Sequence, residues 1–274
     1  SINLAKFYQR SEGPTHGWKE KIDWEHLEHV TRTSVHFLDN VIDANKYATP
    51  EIEEMTKSTR KIGLGIMGFA DLLIQMQISY SSTLAREVGK DIMASIREWA
   101  DDESKELAKQ RGSFPAWEKS TYNVPFNDKA SQKFRNHCRL TVAPTGTISM
   151  IADTSSGIEP TFALAWKKQN ILEGKTLNYV NKYFEADAKK HGFYSEDLMD
   201  YLAEGGSLAT APQVPDWAKA VYSTAPEISP ADHVLMQAAF QKHCDSGISK
   251  TINFPNEATI EDVENTYMLA WENG

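Results

Sequence analysis

Apolar residues recur every three or four positions over several stretches of the chain, which is the spacing of one face of an α-helix. The stretches begin at capping residues such as Thr49 and Ser82, and one ends at a terminating glycine, Gly112. The helices predicted in this way are 24–45, 49–61, 82–111, 177–192, 195–204, 229–247 and a last one from Thr259 onward.

Two short apolar runs have the character of strands. Leu140 to Ala143 is stopped by Pro144, and Ile248 to Phe254 is stopped by Pro255. Strand, loop and helix therefore alternate along the chain, which favours an α/β architecture. In such folds the functional site lies where the strands end at their carboxyl side.

The most informative loop follows the first of these strands. Pro144-Thr145-Gly146-Thr147-Ile148-Ser149 spaces three hydroxyls around a glycine. A turn of this kind after a strand exposes backbone N–H groups, to which the hydroxyls add donors, and phosphate fits such a nest. Thr and Ser are also common in ordinary loops, so a plain turn is the alternative reading of the same residues.

A second glycine cluster, Gly63-Leu64-Gly65-Ile66-Met67-Gly68, formally matches the dinucleotide fingerprint G-x-G-x-x-G. That fingerprint should follow a strand, and an acidic residue should lie at the end of a second strand further along the chain. Here a polar helical stretch precedes the glycines instead. We therefore reject a Rossmann interpretation. The expected role is close packing of backbone against neighbouring segments or against a cofactor, where any Cβ would clash.

Several further motifs accompany these two loops along the chain. Together they are Ser1-Ile2-Asn3-Leu4, 37–43 (Phe-Leu-Asp-Asn-Val-Ile-Asp), 60–73 (Arg-Lys-Ile-Gly-Leu-Gly-Ile-Met-Gly-Phe-Ala-Asp-Leu-Leu), 144–149, 155–160 (Ser-Ser-Gly-Ile-Glu-Pro) and 249–255 (Ser-Lys-Thr-Ile-Asn-Phe-Pro). In these motifs and in their order the chain resembles a known family, the catalytic subunit of the adenosylcobalamin-dependent (class II) ribonucleotide reductases. The resemblance excludes only about 171–226.

The resemblance implies a fold and a domain organisation. We expect residues 1–274 to be a single, helix-rich α/β domain that forms the later portion of the family's ten-stranded α/β barrel. The family has a redox cysteine directly before Ser-Ile-Asn-Leu, and this chain opens at that Ser. The expectation is a chain cut from a longer one, whose upstream half would come from a separate or precursor chain.

The resemblance also implies a chemistry. Ribonucleotides, with diphosphates favoured, would be reduced to deoxyribonucleotides by a thiyl radical that adenosylcobalamin initiates. Pro144, Thr145, Gly146, Thr147, Ile148 and Ser149 would bind the substrate phosphates, and Gly157, Ile158 and Glu159 would form a wall beside them. No catalytic residue is expected in this chain, because the family's Asn-Pro-Cys-x-Glu motif is not in it. Alone it would be inactive; the alternative is a non-catalytic nucleotide- or phosphate-binding module that retains the scaffold.

Composition limits the binding partners and the cellular compartment that we expect for this protein. The formal net charge of −9 and a pI near 5.4 argue against a nucleic-acid or anionic-membrane surface. The longest apolar run, 62–74, is too short to span a bilayer, and with no signal peptide visible we expect a cytoplasmic protein. Cys138 and Cys244 have no metal-ligand spacing and are expected to be structural thiols, so we predict no metal site. A second copy of the chain is a further candidate partner.

Overall fold

The computed structural model describes residues 1–10, 17–123, 131–171 and 175–274, with the side chains of 167–178 outside that description. The α-helices in these residues are α1 (Trp24–Ala44), α2 (Pro50–Thr59), α3 (Phe69–Met76), α4 (Thr83–Arg111), α5 (Gly146–Ile151), α6 (Lys182–His191), α7 (Glu196–Ala203), α8 (Asp216–Val221), α9 (Pro230–Gln241) and α10 (Ile260–Asn273). The strands are β1 (Ile2–Asn3), β2 (Ile66–Met67), β3 (Ala165–Ile171) and β4 (Lys175–Val180). Short 3-10 turns lie at Leu4–Phe7, Trp18–Lys21, Pro115–Lys119, Leu208–Thr210 and Ala225–Glu227.

The long helices begin where their capping residues predict. The Ser82 hydroxyl accepts a hydrogen bond from the N–H of Ala85 (3.0 Å), and α4 then runs to Arg111. Thr259 and Asp262 form a reciprocal capping box at the start of α10. These side chains satisfy backbone donors that have no partner inside the helix, so local sequence is enough to fix the boundaries.

Four short backbone segments lie side by side, parallel and in chain order. β1 pairs with β2, Leu64 bridges to Leu140, and Val142 bridges to Ile248. Helices connect each segment to the next, which is the arrangement of an α/β barrel. In the described part of the chain, the set ends at β1 on one side and at Ile248 on the other, so the barrel is not closed here.

The two predicted strands are shorter than expected. Residues 140–143 contribute two isolated bridging residues, 248–254 contribute one, and neither segment forms an extended strand. Beyond Ile248 the backbone is held differently, because the N–H of Thr251 donates to the Glu159 carboxylate at 2.7 Å and not to a neighbouring strand. The predicted length of both strands is therefore wrong.

The glycine cluster at 63–68 packs backbone against backbone, as expected. A Cβ on Gly65 would lie 2.4 Å from the carbonyl oxygen of Thr141, a distance that no side chain tolerates. Gly68 adopts φ +75° at the N-cap of α3, where a side chain would also be strained. The cluster therefore allows the segment of β2 to approach the segment that leads into α5.

The core has two parts. The larger surrounds α1, α3, α4 and α9 and includes an edge-to-face contact of Phe69 with Phe240, whose ring centroids are 4.9 Å apart. The smaller is built from 164–222 together with Ile74. This smaller part includes most of 171–226, the stretch that departs from the family motifs, so that stretch has its own hydrophobic cluster. No helix in the described residues is long and apolar enough to cross a membrane.

The helix predicted from Leu177 to Gly192 is wrong in its first part. Residues up to Val180 form β4, which pairs antiparallel with β3 in a hairpin. The helix α6 begins only after Asn181, whose side chain accepts from the N–H groups of Tyr183 and Phe184. An Asn cap outweighed a helical spacing that Leu177 and Val180 matched by chance.

Candidate functional site

The loop singled out in the sequence opens a short helix. Thr145 adopts the left-handed conformation (φ 54°, ψ 17°), and α5 begins at the next residue. Pro144 has no N–H to offer. The backbone N–H groups of Gly146, Thr147 and Ile148 have no acceptor among the described residues. Since such groups point out of the first turn of a helix, they present three donors on one side.

The three hydroxyls of this loop have different surroundings. The Thr145 Oγ1 is buried and accepts a hydrogen bond from the N–H of Gly157 at 2.8 Å. Ser149 is also buried, with its Oγ 2.7 Å from the Oγ of Ser156. Thr147 is exposed, and no described residue pairs with its hydroxyl. Thr145 and Ser149 therefore hold the loop at 155–157 in place, whereas Thr147 is free to meet a ligand.

A cavity of about 860 Å³ lies beside α5. Ser149 and Met150 line it from the helix, but Pro144, Thr145, Gly146, Thr147 and Ile148 are not part of its wall. Its other described lining residues are Asp71, Asp153, Thr154, Ser155, Ser156, Glu159, Pro160, Thr161, Phe162, Ala163, Trp166, Tyr179, Val180, Asn181, Lys182, Ala225, Thr251 and Asn253.

The predicted wall residues are only partly in that wall. Glu159 lines the cavity. Ile158 is fully buried, and its carbonyl accepts a hydrogen bond from the Tyr80 hydroxyl at 2.6 Å. Gly157 is buried at φ +46° with its N–H on Thr145. Gly157 and Ile158 thus support the loop from behind, and Glu159 is the residue that reaches the cavity.

Asp71 is a cavity residue that sequence reasoning did not select. It lies on α3 and is almost fully buried, and its carboxylate accepts from the Thr154 hydroxyl (2.8 Å) and the Ser155 N–H (3.0 Å). Burial raises the pKa of this carboxyl, against the lowering effect of those two hydrogen bonds. The signal in the sequence was an acid inside an apolar run, which is costly unless its oxygens are satisfied.

The charge around the cavity is mainly acidic. Among its described lining residues the single cation is Lys182, and its ammonium is 2.6 Å from the Asp153 carboxylate. A bound anion would therefore depend on neutral donors such as backbone N–H groups. The first turn of α5, beside the cavity but outside its wall, offers three such groups together.

A second set of charged groups lies behind the wall. The Lys250 ammonium is 2.5 Å from Oε2 of Glu159 and 2.7 Å from Nδ1 of His233. The Lys250 and His233 side chains are fully buried. Burial lowers the pKa of both, and in His233 the nearby Lys250 charge adds to the effect. Glu159 is the residue of this set that was selected from the sequence.

Exposed aromatic side chains form one rim of the cavity. Trp166 and Tyr179 stack across the β3–β4 hairpin, with ring centroids 5.6 Å apart and planes within 7°. Phe162 precedes them and is 74% exposed. Such a rim offers flat apolar faces to a ligand in the cavity.

The two cysteines are free and half-buried. Burial raises the pKa of the Cys244 thiol to about 12 and raises that of Cys138 as well. The thiolate is the reactive form of cysteine, so neither residue is activated. Neither lines the cavity.

Parallel segments that alternate with helices, with a donor-rich loop after one of them, define a class of protein, the α/β barrel. Comparison with known proteins gives the family. A sequence profile described as "Ribonucleotide reductase, barrel domain" matches residues 1–274, and the chain belongs to this family.

The vitamin B12-dependent ribonucleoside-diphosphate reductase of Thermoplasma acidophilum is 45% identical over 270 residues, which are 98% of this chain and 33% of that protein. The protein of the same name from Mycobacterium tuberculosis (strain CDC 1551 / Oshkosh) is 40% identical over 272 residues, covering 99% and 37% respectively. The chain thus spans about a third of the length of these relatives.

Among solved structures, the class Id ribonucleotide reductase alpha subunit of Actinobacillus ureae matches with a TM-score of 0.76 at 24% identity. The match covers 99% of this chain and 46% of that one. At this identity the likeness shows the fold alone. It agrees with the expectation of a portion of a reductase-type barrel.

Proposed function

We propose that this chain is the substrate-binding part of a ribonucleotide reductase that converts ribonucleotides, with diphosphates favoured, to deoxyribonucleotides. The relatives named above carry that activity in their names and match nearly the whole chain. The structural observation that supports it is the group of three unpaired N–H donors at 146–148.

In this proposal the substrate phosphates are bound by the N–H groups of Gly146, Thr147 and Ile148 and by the Thr147 hydroxyl. Pro144 ends the preceding segment and turns the chain toward the helix. Thr145 and Ser149 act indirectly, because their hydroxyls hold the loop that carries Glu159. A phosphate bound in this way needs no cation from this chain, which agrees with the acidic character of the cavity.

The cofactor proposed for the complete enzyme is adenosylcobalamin, which supplies the radical that starts the reduction when it is bound. The aromatic rim of Trp166, Tyr179 and Phe162 fits a flat ring system. No His or Cys is among the described residues that line the cavity, so this chain offers no such side chain there to the metal. Its part would be to contact the cofactor's apolar faces and exclude water.

We further propose that an upstream segment with the Asn-Pro-Cys-x-Glu motif, as a separate or precursor chain, completes the barrel and supplies the catalytic residues. The apolar stripe on α10 supports the presence of a covering partner: Ile260, Tyr267 and Trp271 are 87%, 76% and 76% exposed. A second copy of the chain is the other partner to which such a face could belong.

The test of the phosphate site is Gly146→Val in the full-length protein. A Cβ on Gly146 meets no protein atom within 4 Å, and its φ is not left-handed, so the fold should accept the side chain. The isopropyl group would occupy the space in front of the free N–H groups. We expect the Kd for CDP to rise more than about tenfold, which is about 1.4 kcal/mol.

Gly17→Val is the matched control, because a Cβ there also meets nothing within 4 Å and the residue does not line the cavity. Isothermal titration with CDP should give wild-type affinity for this variant. Wild-type affinity in Gly146→Val as well would contradict the proposed site. The alternative function, a nucleotide-binding module without activity, predicts the same loss of binding but no turnover in the complete wild-type protein.

A further inference from the structure

Lys250 lies at the junction of three parts of the fold: the loop at 155–160, helix α9 and the segment after Ile248. We infer that Lys250 is a positioning residue, which together with His233 holds Glu159 and Thr251 in the cavity wall so that the substrate is bound in one orientation. This inference rests on the proposed function, because it concerns the cavity that lies beside the proposed phosphate-binding residues.

The contacts of Lys250 fix its side chain completely. Its ammonium group has three hydrogens, and three acceptors lie around it: Glu159 Oε2 at 2.5 Å, His233 Nδ1 at 2.7 Å and the carbonyl oxygen of Thr251 at 2.7 Å. No donor is left for the solvent or for a ligand. A lysine with these contacts holds its three partners in place and has no donor left to bind an anionic ligand.

The contact with the Lys250 ammonium also determines the protonation state and the tautomer of His233. Because the Lys250 ammonium can only donate, Nδ1 must accept, and the ring is therefore neutral. Its proton is then on Nε2, which lies 3.3 Å from the carbonyl oxygen of Ala225. This tautomer ties α9 to the 3-10 turn at Ala225–Glu227, and Ala225 is itself a cavity residue.

Glu159 transmits this arrangement to the cavity. One carboxylate oxygen is bound to Lys250, and the other accepts from the N–H of Thr251 at 2.7 Å. Glu159 and Thr251 both line the cavity. If Lys250 loses its ammonium, Glu159 is free to turn into the cavity, and the Thr251 carbonyl loses its partner. The wall would then be present but poorly placed, and misplacement of about 1 Å can cost a hundredfold in productive binding.

The first test is Lys250→Met in the full-length protein, assayed with CDP, adenosylcobalamin and dithiothreitol. Met retains most of the buried volume, and the carboxylate that remains on Glu159 borders the cavity, from which water can reach it. We expect KM for CDP to rise about tenfold to a hundredfold, with a smaller fall in kcat per folded molecule. A role in stability alone would lower the unfolding temperature and leave KM unchanged, and that result would overturn the inference.

The second test compares His233→Asn with His233→Leu. Leu is close to His in size and Asn is smaller, but only Asn keeps an acceptor near the position of Nδ1. We expect Leu to raise KM in the same range as Lys250→Met and Asn to keep it within about threefold of wild type. The comparison of these two His233 variants tests the positioning role even if Lys250→Met does not fold. Equal KM values for Asn and Leu would overturn the inference.

A pH profile provides a third readout. The charged groups around His233 are Lys250, Glu159 and Asp232, and the Tyr80 ring lies across it with a centroid distance of 6.5 Å. Protonation at Nδ1 would remove the acceptor for Lys250. Because burial and Lys250 lower the His233 pKa below 6.5, KM of the wild type should rise only as the pH falls below that value. In His233→Asn this component should be absent; an identical profile would count against the role of His233.

Gly146→Val separates the two proposals. If that variant binds CDP as the wild type does, the proposed phosphate site is wrong. If it loses CDP while Lys250→Met and His233→Leu keep the wild-type KM, the phosphate site stands and the positioning role of Lys250 is wrong.

Discussion

The hydrogen bond from the Gly157 N–H to the Thr145 hydroxyl joins the loop at 144–149 to the loop at 155–160, and its removal gives a quantitative prediction. Thr145→Val keeps the shape of the side chain and the left-handed backbone but removes the acceptor. The N–H of Gly157 would then be buried without a partner, which costs about 1–3 kcal/mol. At 1.4 kcal/mol for each factor of ten, local opening of the loop should become about 5- to 150-fold more frequent.

Hydrogen exchange by mass spectrometry, on peptides that cover 155–160 in the full-length protein, measures this opening directly. Thr145→Ser is the matched control, because it keeps the oxygen at the same position and should stay within about threefold of wild-type exchange. The prediction concerns this loop and not global stability, so peptides from α4 should be unaffected. Unchanged exchange in Thr145→Val, or equal effects of Val and Ser, would refute the reasoning.

Two further predictions concern the cysteines and the barrel. Cys138→Ala and Cys244→Ala should lower the free energy of unfolding and leave kcat within about twofold, because burial keeps both thiols protonated; lost turnover at unchanged stability would contradict this. The isolated chain should bind a hydrophobic dye at its α10 face. A polypeptide that carries Asn-Pro-Cys-x-Glu should displace the dye by burying about 1,000 Å² or more and, with adenosylcobalamin, a ribonucleotide and a dithiol, restore deoxyribonucleotide formation. The absence of both dye binding and restored activity would contradict the proposal that such a polypeptide completes the barrel.

The helices could be predicted from the sequence because their boundaries depend on local groups. Ser82 and Thr259 cap the helices that follow them, and Gly112 ends α4. The strands were harder, since 140–143 pairs only through Leu140 and Val142 and 248–254 only through Ile248, with partners that are distant in the chain. At Leu177 two periodicities fitted the same apolar residues, and the Asn181 cap was the signal that distinguished them.

The sequence singled out the loop at 144–149 as the candidate phosphate site, but the roles of its individual residues were not visible in the sequence. Whether Thr145 points inward depends on its left-handed backbone, and a β-branched residue rarely adopts that conformation. The pairing of Glu159 with Lys250 joins segments 91 residues apart, and no local pattern indicates it. Asp71 was not selected from the sequence, although its hydrogen bonds place it beside the cavity.

The chain order of the four parallel segments has a consequence for folding. Each segment pairs with the one that precedes it, from β1 to β2, from Leu64 to Leu140 and from Val142 to Ile248. A nascent chain that has emerged as far as Val142 therefore already contains both partners of the first two pairings, and no later segment has to insert between strands that have already paired. Folding can follow synthesis from the amino end, with each new unit adding to an edge that is already formed.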